Sequence, residues 1–172
     1  ISPPTQAFLA YSAIGQYNVT ASALSNALVA AGIANSGVVM KPYLVQNITD
    51  SQGANISTHT PTPWMTASTP QAAASVTSLM KLVVTQGTAA GVGFPSQLDA
   101  AVKTGTAQTG NPQANTDDWM IGFAPANNPQ VAVAVVVPYQ NFVDTGAGVA
   151  GPIMKAMLEA ALNQQSSSNG AP

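Results

Sequence analysis

The sequence predicts a mixed α/β chain of the α+β type, with a central antiparallel sheet flanked by helices. Three observations predict it. Apolar residues recur at helical spacing in three separate segments of the 172 residues. Strand-like runs around Lys103, from Trp119 to Ala124 and from Val131 to Val137 follow one another closely, and their short connections favour antiparallel pairing over right-handed crossovers. Val131 to Val137 is apolar on both faces, as a central strand covered by helices would be.

Each element has its own local signal. Thr20 or Ser22 caps a first helix whose inward positions are Leu24, Ala27, Leu28 and Ala31, and Asn35-Ser36-Gly37 ends it. Lys41 to Ile48 reads as a strand, turned at Asp50-Ser51-Gln52-Gly53 and returned through Pro61 and Pro63, which makes an irregular hairpin. Thr69 as cap and Pro70 at the first helical position open a second helix, with Val76, Leu79, Met80 and Val83 inward and Gly87 as the stop. A glycine-rich loop from Gly87 to Pro95 leads to the Lys103 strand, and Gly110-Asn111-Pro112 turns the chain into a polar loop. In the next strand Trp119, Ile121 and Phe123 alternate with Met120, Gly122 and Ala124. Pro152 opens the last helix, which offers Ile153, Met154, Met157, Leu158, Ala161 and Leu162 to the core. Residues 1–163 form one unit, and Gln164 to Pro172 is a polar tail expected to be flexible.

Composition excludes several function classes. With 46% hydrophobic residues and two tryptophans the chain can bury a core. Only 6% of residues are charged, against roughly 25% in ordinary soluble domains, so Ser, Thr, Asn and Gln must build the polar surface, which suits an extracytoplasmic protein. Four basic and six acidic residues give a net charge of −2, which provides no footprint for nucleic acid or anionic lipid. Without cysteine there is no thiolate metal site, and one histidine, His59, cannot build a two-histidine site; its Thr- and Pro-rich neighbours place it in a solvated loop. No metal and no cofactor are expected. The opening Ile1 lacks a preceding Met or signal segment, so a processed or partial chain is expected.

Chemistry concentrates in Val102-Lys103-Thr104-Gly105-Thr106, a Lys-Thr-Gly signature in a strand. Such a signature points to acyl transfer on β-lactam-like or D-Ala-D-Ala substrates. Strand alternation puts Thr104 and Thr106 on one face and Lys103 and Gly105 on the other. Two hydroxyls can then grip a carboxylate while the ammonium reaches a neighbouring serine, and Gly105 lets another backbone come close.

Further blocks agree in order: Ile14-Gly15-Gln16 through Thr20, Ala34 to Pro42, Val83 to Ala89, Lys103 to Thr106, Trp119 to Pro125, Val131 to Val137, and Ala150-Gly151-Pro152-Ile153. From about Ala10 to Leu162 the chain resembles the transpeptidase domain of class B penicillin-binding proteins, in its C-terminal part. It departs at Tyr17 and Ala23, where members often carry glycine and proline. The resemblance implies the fold shared with serine β-lactamases and a D,D-transpeptidase that cross-links peptidoglycan stem peptides through a serine acyl-enzyme. It implies that Lys103 serves the proton relay, that Thr104 and Thr106 hold the substrate carboxylate beside Gly105, and that the Thr106 N–H supplies half of the oxyanion hole. The expected partners are an N-terminal half carrying Ser-x-x-Lys and Ser-x-Asn, the stem peptide and β-lactams. The expected place is the extracytoplasmic face of the bacterial membrane, reached through an N-terminal anchor outside this sequence.

Two internal matches do not fit. Ser78-Leu79-Met80-Lys81 has the Ser-x-x-Lys form but lies only 103 − 78 = 25 positions before Lys103. No Ser-x-Asn lies between, and Ser167-Ser168-Asn169 falls in the tail. The nucleophile is therefore expected upstream of Ile1, leaving this chain inactive alone, and a sheet missing its other strands should expose an apolar edge or face and be poorly soluble. Gly146 to Gly151 satisfies G-x-G-x-x-G, yet Tyr139 to Thr145 separates it from its strand and no second strand follows. A tight loop and close helix packing explain those glycines better. A serine β-lactamase or β-lactam sensor of the same fold, or a non-enzymatic binding module, remain as alternatives.

Overall fold

A computed structural model describes residues 5–111 and 114–168. In chain order the helices and strands are α1 (Gln6–Ala13), α2 (Ala23–Ala34), β1 (Val38–Met40), β2 (Asn47–Thr49), β3 (Asn55–Thr58), β4 (Pro63–Thr66), α3 (Pro70–Thr85), β5 (Ala101–Asn111), β6 (Ala114–Ala124), β7 (Val131–Gln140) and α4 (Gly146–Ser168). Strands β5, β6 and β7 form an antiparallel meander, and the pairs β1–β4 and β2–β3 make two smaller antiparallel sheets.

Period-two alternation sorts the meander into two faces. Val102, Met120, Val133 and Val135 meet Ala150, Met154 and Leu158 of α4 in one core. Ala101 and Phe123 meet Met80 of α3 in the other, with Ile33 and Ala34 of α2 packed against them. The expected helical layers on both sides of the sheet are thus present. Burying fully enclosed side chains such as Phe123, Met120, Met154 and Leu158 stabilises the layers by about 1.5–3 kcal/mol each.

Several boundaries differ from expectation for physical reasons. Ser22, not Thr20, caps α2, its Oγ accepting the Ser25 N–H at 3.1 Å. Lys41 to Ile48 is not one strand: β1 ends at Met40 and β2 begins at Asn47, with Pro42 between them lacking a ladder N–H. The turn itself holds, since Asp50 Oδ1 accepts the N–H groups of Gln52 at 2.8 Å and Ala54 at 2.9 Å. Asn111 and the polar residues from Ala114 to Asp118 are strand rather than loop, since Ala107, Gln108 and Asn111 all find partners on β6; Pro112 of the expected turn lies outside the described residues. β7 is the outer member of the meander, not its centre; it is apolar on both faces because α2 and α4 cover one face each. Pro152 sits inside α4, which starts six residues earlier at Gly146. At its other end α4 runs on through Ser168, into the segment read as tail; residues 169–172 lie outside the described residues.

Helix α1 has no buried residue and had no amphipathic signal to announce it. His59 is not a solvated loop residue: it is half-buried, its ring lies 3.9 Å from that of Tyr43, and its Nε2 is enclosed without a hydrogen-bond partner. Among the described residues no helix is long and apolar enough to cross a membrane.

Candidate active site

Lys103, Thr104, Gly105 and Thr106 lie together on β5, paired with Ile121, Met120, Trp119 and Asp118 of β6. They line a groove of about 550 Å³, closed opposite by Ile14, Gln16, Tyr17 and Val19 from the segment between α1 and α2. The edge of β5 facing this groove has no strand partner in the meander. Gln16 donates from Nε2 to the Thr106 carbonyl at 3.3 Å and accepts the Gln108 N–H on Oε1 at 3.1 Å. Backbone groups of a strand residue point to one side and alternate along the chain, so those of Thr104, Thr106 and Gln108 all point away from β6. The Thr106 N–H therefore faces the groove.

Side chains divide as alternation dictates. Lys103 is exposed on the groove side, its ammonium donating to the neighbouring Thr104 carbonyl. Thr104 and Thr106 project toward the α4 side. The Thr104 hydroxyl pairs with that of Thr88 at 2.7 Å, and Thr106 Oγ1 accepts the Gly146 N–H at 3.3 Å. Both hydroxyls are thus held by protein groups at the rim of the groove.

Gly146 explains much of the glycine-rich turn. It sits over bare backbone, because Gly105 and Trp119 direct their side-chain positions to the opposite face of the sheet. A Cβ on Gly146 would come within 2.3 Å of the Trp119 carbonyl oxygen and 2.4 Å of that of Gly105. Gly151 packs similarly, its Cβ position lying 2.6 Å from Val92 Cγ2. Gly146 and Gly151 thus serve close helix packing, as expected, whereas the expected tight loop is replaced by the first turns of α4.

Asp118, which sequence reasoning missed, lies opposite Thr106 on β6. It is inaccessible to solvent, and neither carboxylate oxygen makes a well-formed hydrogen bond. Burial pushes its pKa up; the Thr106 hydroxyl offsets part of this, while the Asp144 and Asp117 carboxylates add to it. The alternation that buries Met120 would have placed Asp118 on the same enclosed face.

Ser78 and Lys81 do not form a catalytic pair. Ser78 Oγ donates back to the Ala74 carbonyl at 3.0 Å on an exposed face of α3. Lys81 instead forms an ion pair with Asp99 at 2.8 Å, tying α3 to the turn that launches β5. Asp99 holds the far side of this joint: its Oδ2 accepts the Asn127 N–H at 3.0 Å. Burial alone would raise the Asp99 pKa, but the Lys81 ammonium and the Asn127 and Ala126 N–H groups bring it below the usual value. Among the described residues no cluster of three His, Asp or Glu side chains could hold a metal ion.

The departure at Tyr17 falls on left-handed backbone, φ 65°, which glycine adopts without steric cost. Its ring stacks on Phe8 at 4.4 Å, a contact glycine cannot make.

This geometry has close counterparts. The chain is 45% identical over 168 residues to the peptidoglycan D,D-transpeptidase PbpA of Mycolicibacterium smegmatis, covering 93% of this chain and 33% of that protein. It is 42% identical over 169 residues to PbpA of Mycobacterium tuberculosis, with 92% and 33% covered. It spans about a third of the length of these relatives. Penicillin-binding protein A of M. tuberculosis, solved as a ceftriaxone acyl-enzyme complex, superposes with a TM-score of 0.84 at 41% identity, over 92% of this chain and 36% of that one. Residues 4–159 match the penicillin binding protein transpeptidase domain. The chain belongs to the penicillin-binding protein transpeptidase family.

Proposed function

We propose that this chain supplies the C-terminal part of a peptidoglycan D,D-transpeptidase, class B type, and that its β5 edge binds the stem peptide and β-lactams. The observation that carries the proposal is the Thr106 N–H facing an open groove beside the Lys103 ammonium, on a strand edge that no other strand of the meander occupies. An extended peptide can add to such an edge through main-chain hydrogen bonds.

In the proposed reaction a serine Oγ from an upstream Ser-x-x-Lys motif attacks the carbonyl of the penultimate D-Ala. The developing oxyanion takes a hydrogen bond from the Thr106 N–H, a donor whose loss costs on the order of 100-fold in rate. The terminal D-Ala leaves with a proton and the peptide remains as a serine ester; an acceptor amine then attacks the ester and frees the serine. Lys103 stabilises negative charge and serves proton transfer with the Ser-x-Asn serine of the upstream half. Thr104 and Thr106 hold the substrate carboxylate, turning their hydroxyls from Thr88 and Gly146 toward the groove. Gly105 leaves the strand without a side chain on the groove face. The enzyme works on the extracytoplasmic face of the membrane, held there by an N-terminal anchor, and the upstream half is needed for activity.

Labelling the intact protein with a fluorescent penicillin, followed by mass spectrometry of the adduct, tests this reading. The expected result is one acylated serine upstream of Ile1, lost or strongly reduced in Lys103→Ala and unchanged in Ser78→Ala. An adduct on Ser78, or no adduct, would overturn it.

A further inference from the structure

We infer that Gln16 is a register stop that ends substrate pairing on the β5 edge immediately after Thr106, and so determines which part of a peptide the strand can read. The inference rests on the proposed addition of substrate to that edge. The side-chain amide of Gln16 bonds the Thr106 carbonyl at 3.3 Å and the Gln108 N–H at 3.1 Å, across 90 and 92 positions of sequence. In a parallel ladder one residue bridges its neighbour strand in this way, donating to the carbonyl of residue i−1 and accepting from the N–H of residue i+1. Gln16 thus reproduces, with one side chain, a single strand residue paired around Ala107.

A carbonyl has two acceptor sites, but an N–H has one proton. Thr106 can accept from Gln16 and still receive a substrate amide, whereas the Gln108 N–H is fully used. Substrate can therefore pair with Thr104 and Thr106 but not continue to Gln108. With the carboxylate toward Thr104 and the scissile carbonyl on the Thr106 N–H, residues preceding D-Ala-D-Ala run toward Gln108 and must turn away from β5 there. The stop is held by its own backbone, since the turn around Gln16 has left-handed residues on either side, Gly15 at φ 80° and Tyr17 at φ 65°.

The test compares wild type and Gln16→Ala of the intact enzyme on D-Ala-D-Ala peptides of two, three and five residues, with fluorescent penicillin acylation as reference. In the wild type, lengthening the peptide from three to five residues should change kcat/KM little, since the third residue already completes the amide that Thr106 accepts. In Gln16→Ala the freed Gln108 N–H should pair with the five-residue peptide and raise its kcat/KM about fivefold, the net worth of one added hydrogen bond. The gain should appear in KM and is read as the ratio of five-residue to three-residue kcat/KM within each enzyme, a ratio to which groups that do not reach Gln108 contribute nothing. If Gln16→Ala does not fold, Gln16→Asn, too short to span both groups, replaces it. An unchanged length profile, or a folded variant that loses penicillin and peptide acylation alike, would overturn the register stop. A wild type that penicillin does not label would overturn the functional reading itself, and the register stop with it.

Discussion

The seat of Gly146 against the back of β5 predicts an effect on chemistry from a residue that touches no substrate. In Gly146→Ala the new Cβ would lie 2.3 Å from the Trp119 carbonyl oxygen and 2.4 Å from that of Gly105, against 3.4 Å for an ordinary contact. Both atoms are backbone in a paired ladder, so neither can rotate aside. The start of α4 and β5 must separate by about 1 Å, a displacement that costs about 100-fold in rate when it falls on a catalytic donor. Overpacking of this kind also destabilises by about 1–3 kcal/mol. The hydrogen bond from Gly146 N–H to Thr106 Oγ1, already 3.3 Å long, would be lost with the same movement. The assay is the rate of acylation by fluorescent penicillin in the intact protein, with a thermal melt alongside. Gly148→Ala is the control within the same turn, because its Cβ would meet only Thr145 Oγ1, at 3.4 Å. Wild-type acylation and melting in Gly146→Ala, or an equal loss in Gly148→Ala, would refute the reasoning.

Other perturbations follow from the charged groups and the exposed faces. Lys81→Met should lower stability by about 0.5–1 kcal/mol, as its ion pair with Asp99 is partly exposed, and leave penicillin labelling intact; a melt and a labelling gel check both. Because the Asp99 carboxyl is held below its ordinary 3.8, its contribution is present above that pH and fades as pH falls through the lowered folded-state value. Wild type should therefore lose its advantage over Asp99→Asn in melts taken progressively below pH 4. Asp118 has the opposite sign: its raised pKa favours the fold below 3.8, and that support is lost as pH rises through the shifted value. Asp118→Asn should consequently melt higher than wild type at pH 8, by about 1–3 kcal/mol of stability, with the difference shrinking toward pH 4. Expressed alone, the chain should self-associate, because α1 buries no residue and Leu44, Trp64 and Leu79 stand exposed; a monomeric species by light scattering, melting cooperatively, would contradict this.

Local chemistry made part of the fold legible, and long-range assembly hid the rest. The start of α3 was readable because Thr69 and Pro70 act within one turn: Thr69 Oγ1 accepts the Ala72 N–H at 3.2 Å. The strands of the meander announced themselves by alternation and β-branched residues, and Lys103 to Thr106 by a motif within one of them. The extension of β6 back to Ala114 was hidden, since Asn115 to Asp118 are polar and gain strand character only from their partners on β5 and β7. Helix α1 carries no apolar stripe for periodicity to detect. In the site, Gln16 could be placed in a family block but not on an edge, since its role exists only when strand β5, 90 residues away, is beside it. The Ser78 match needed only sequence spacing to set aside, while the ion pair that gives Lys81 its own task is visible only in the fold.

Sequence order also gives the sheet a schedule. Its three strands are consecutive between Ala101 and Gln140 and can zip together as neighbours, but α2, which covers one face, ends at Ala34, 97 positions before β7 begins at Val131. At about 5–20 residues per second of synthesis, α2 would wait roughly 5–20 s for the surface it is built to cover. During that interval Ile33 and Ala34 have no sheet to face, and the groove cannot exist because Gln16 has no strand to meet. The groove along β5 is therefore assembled late, by docking a segment made early onto a meander made last. Substitutions that slow the meander would lengthen the exposure of α2, and would lower yield before they altered the finished molecule.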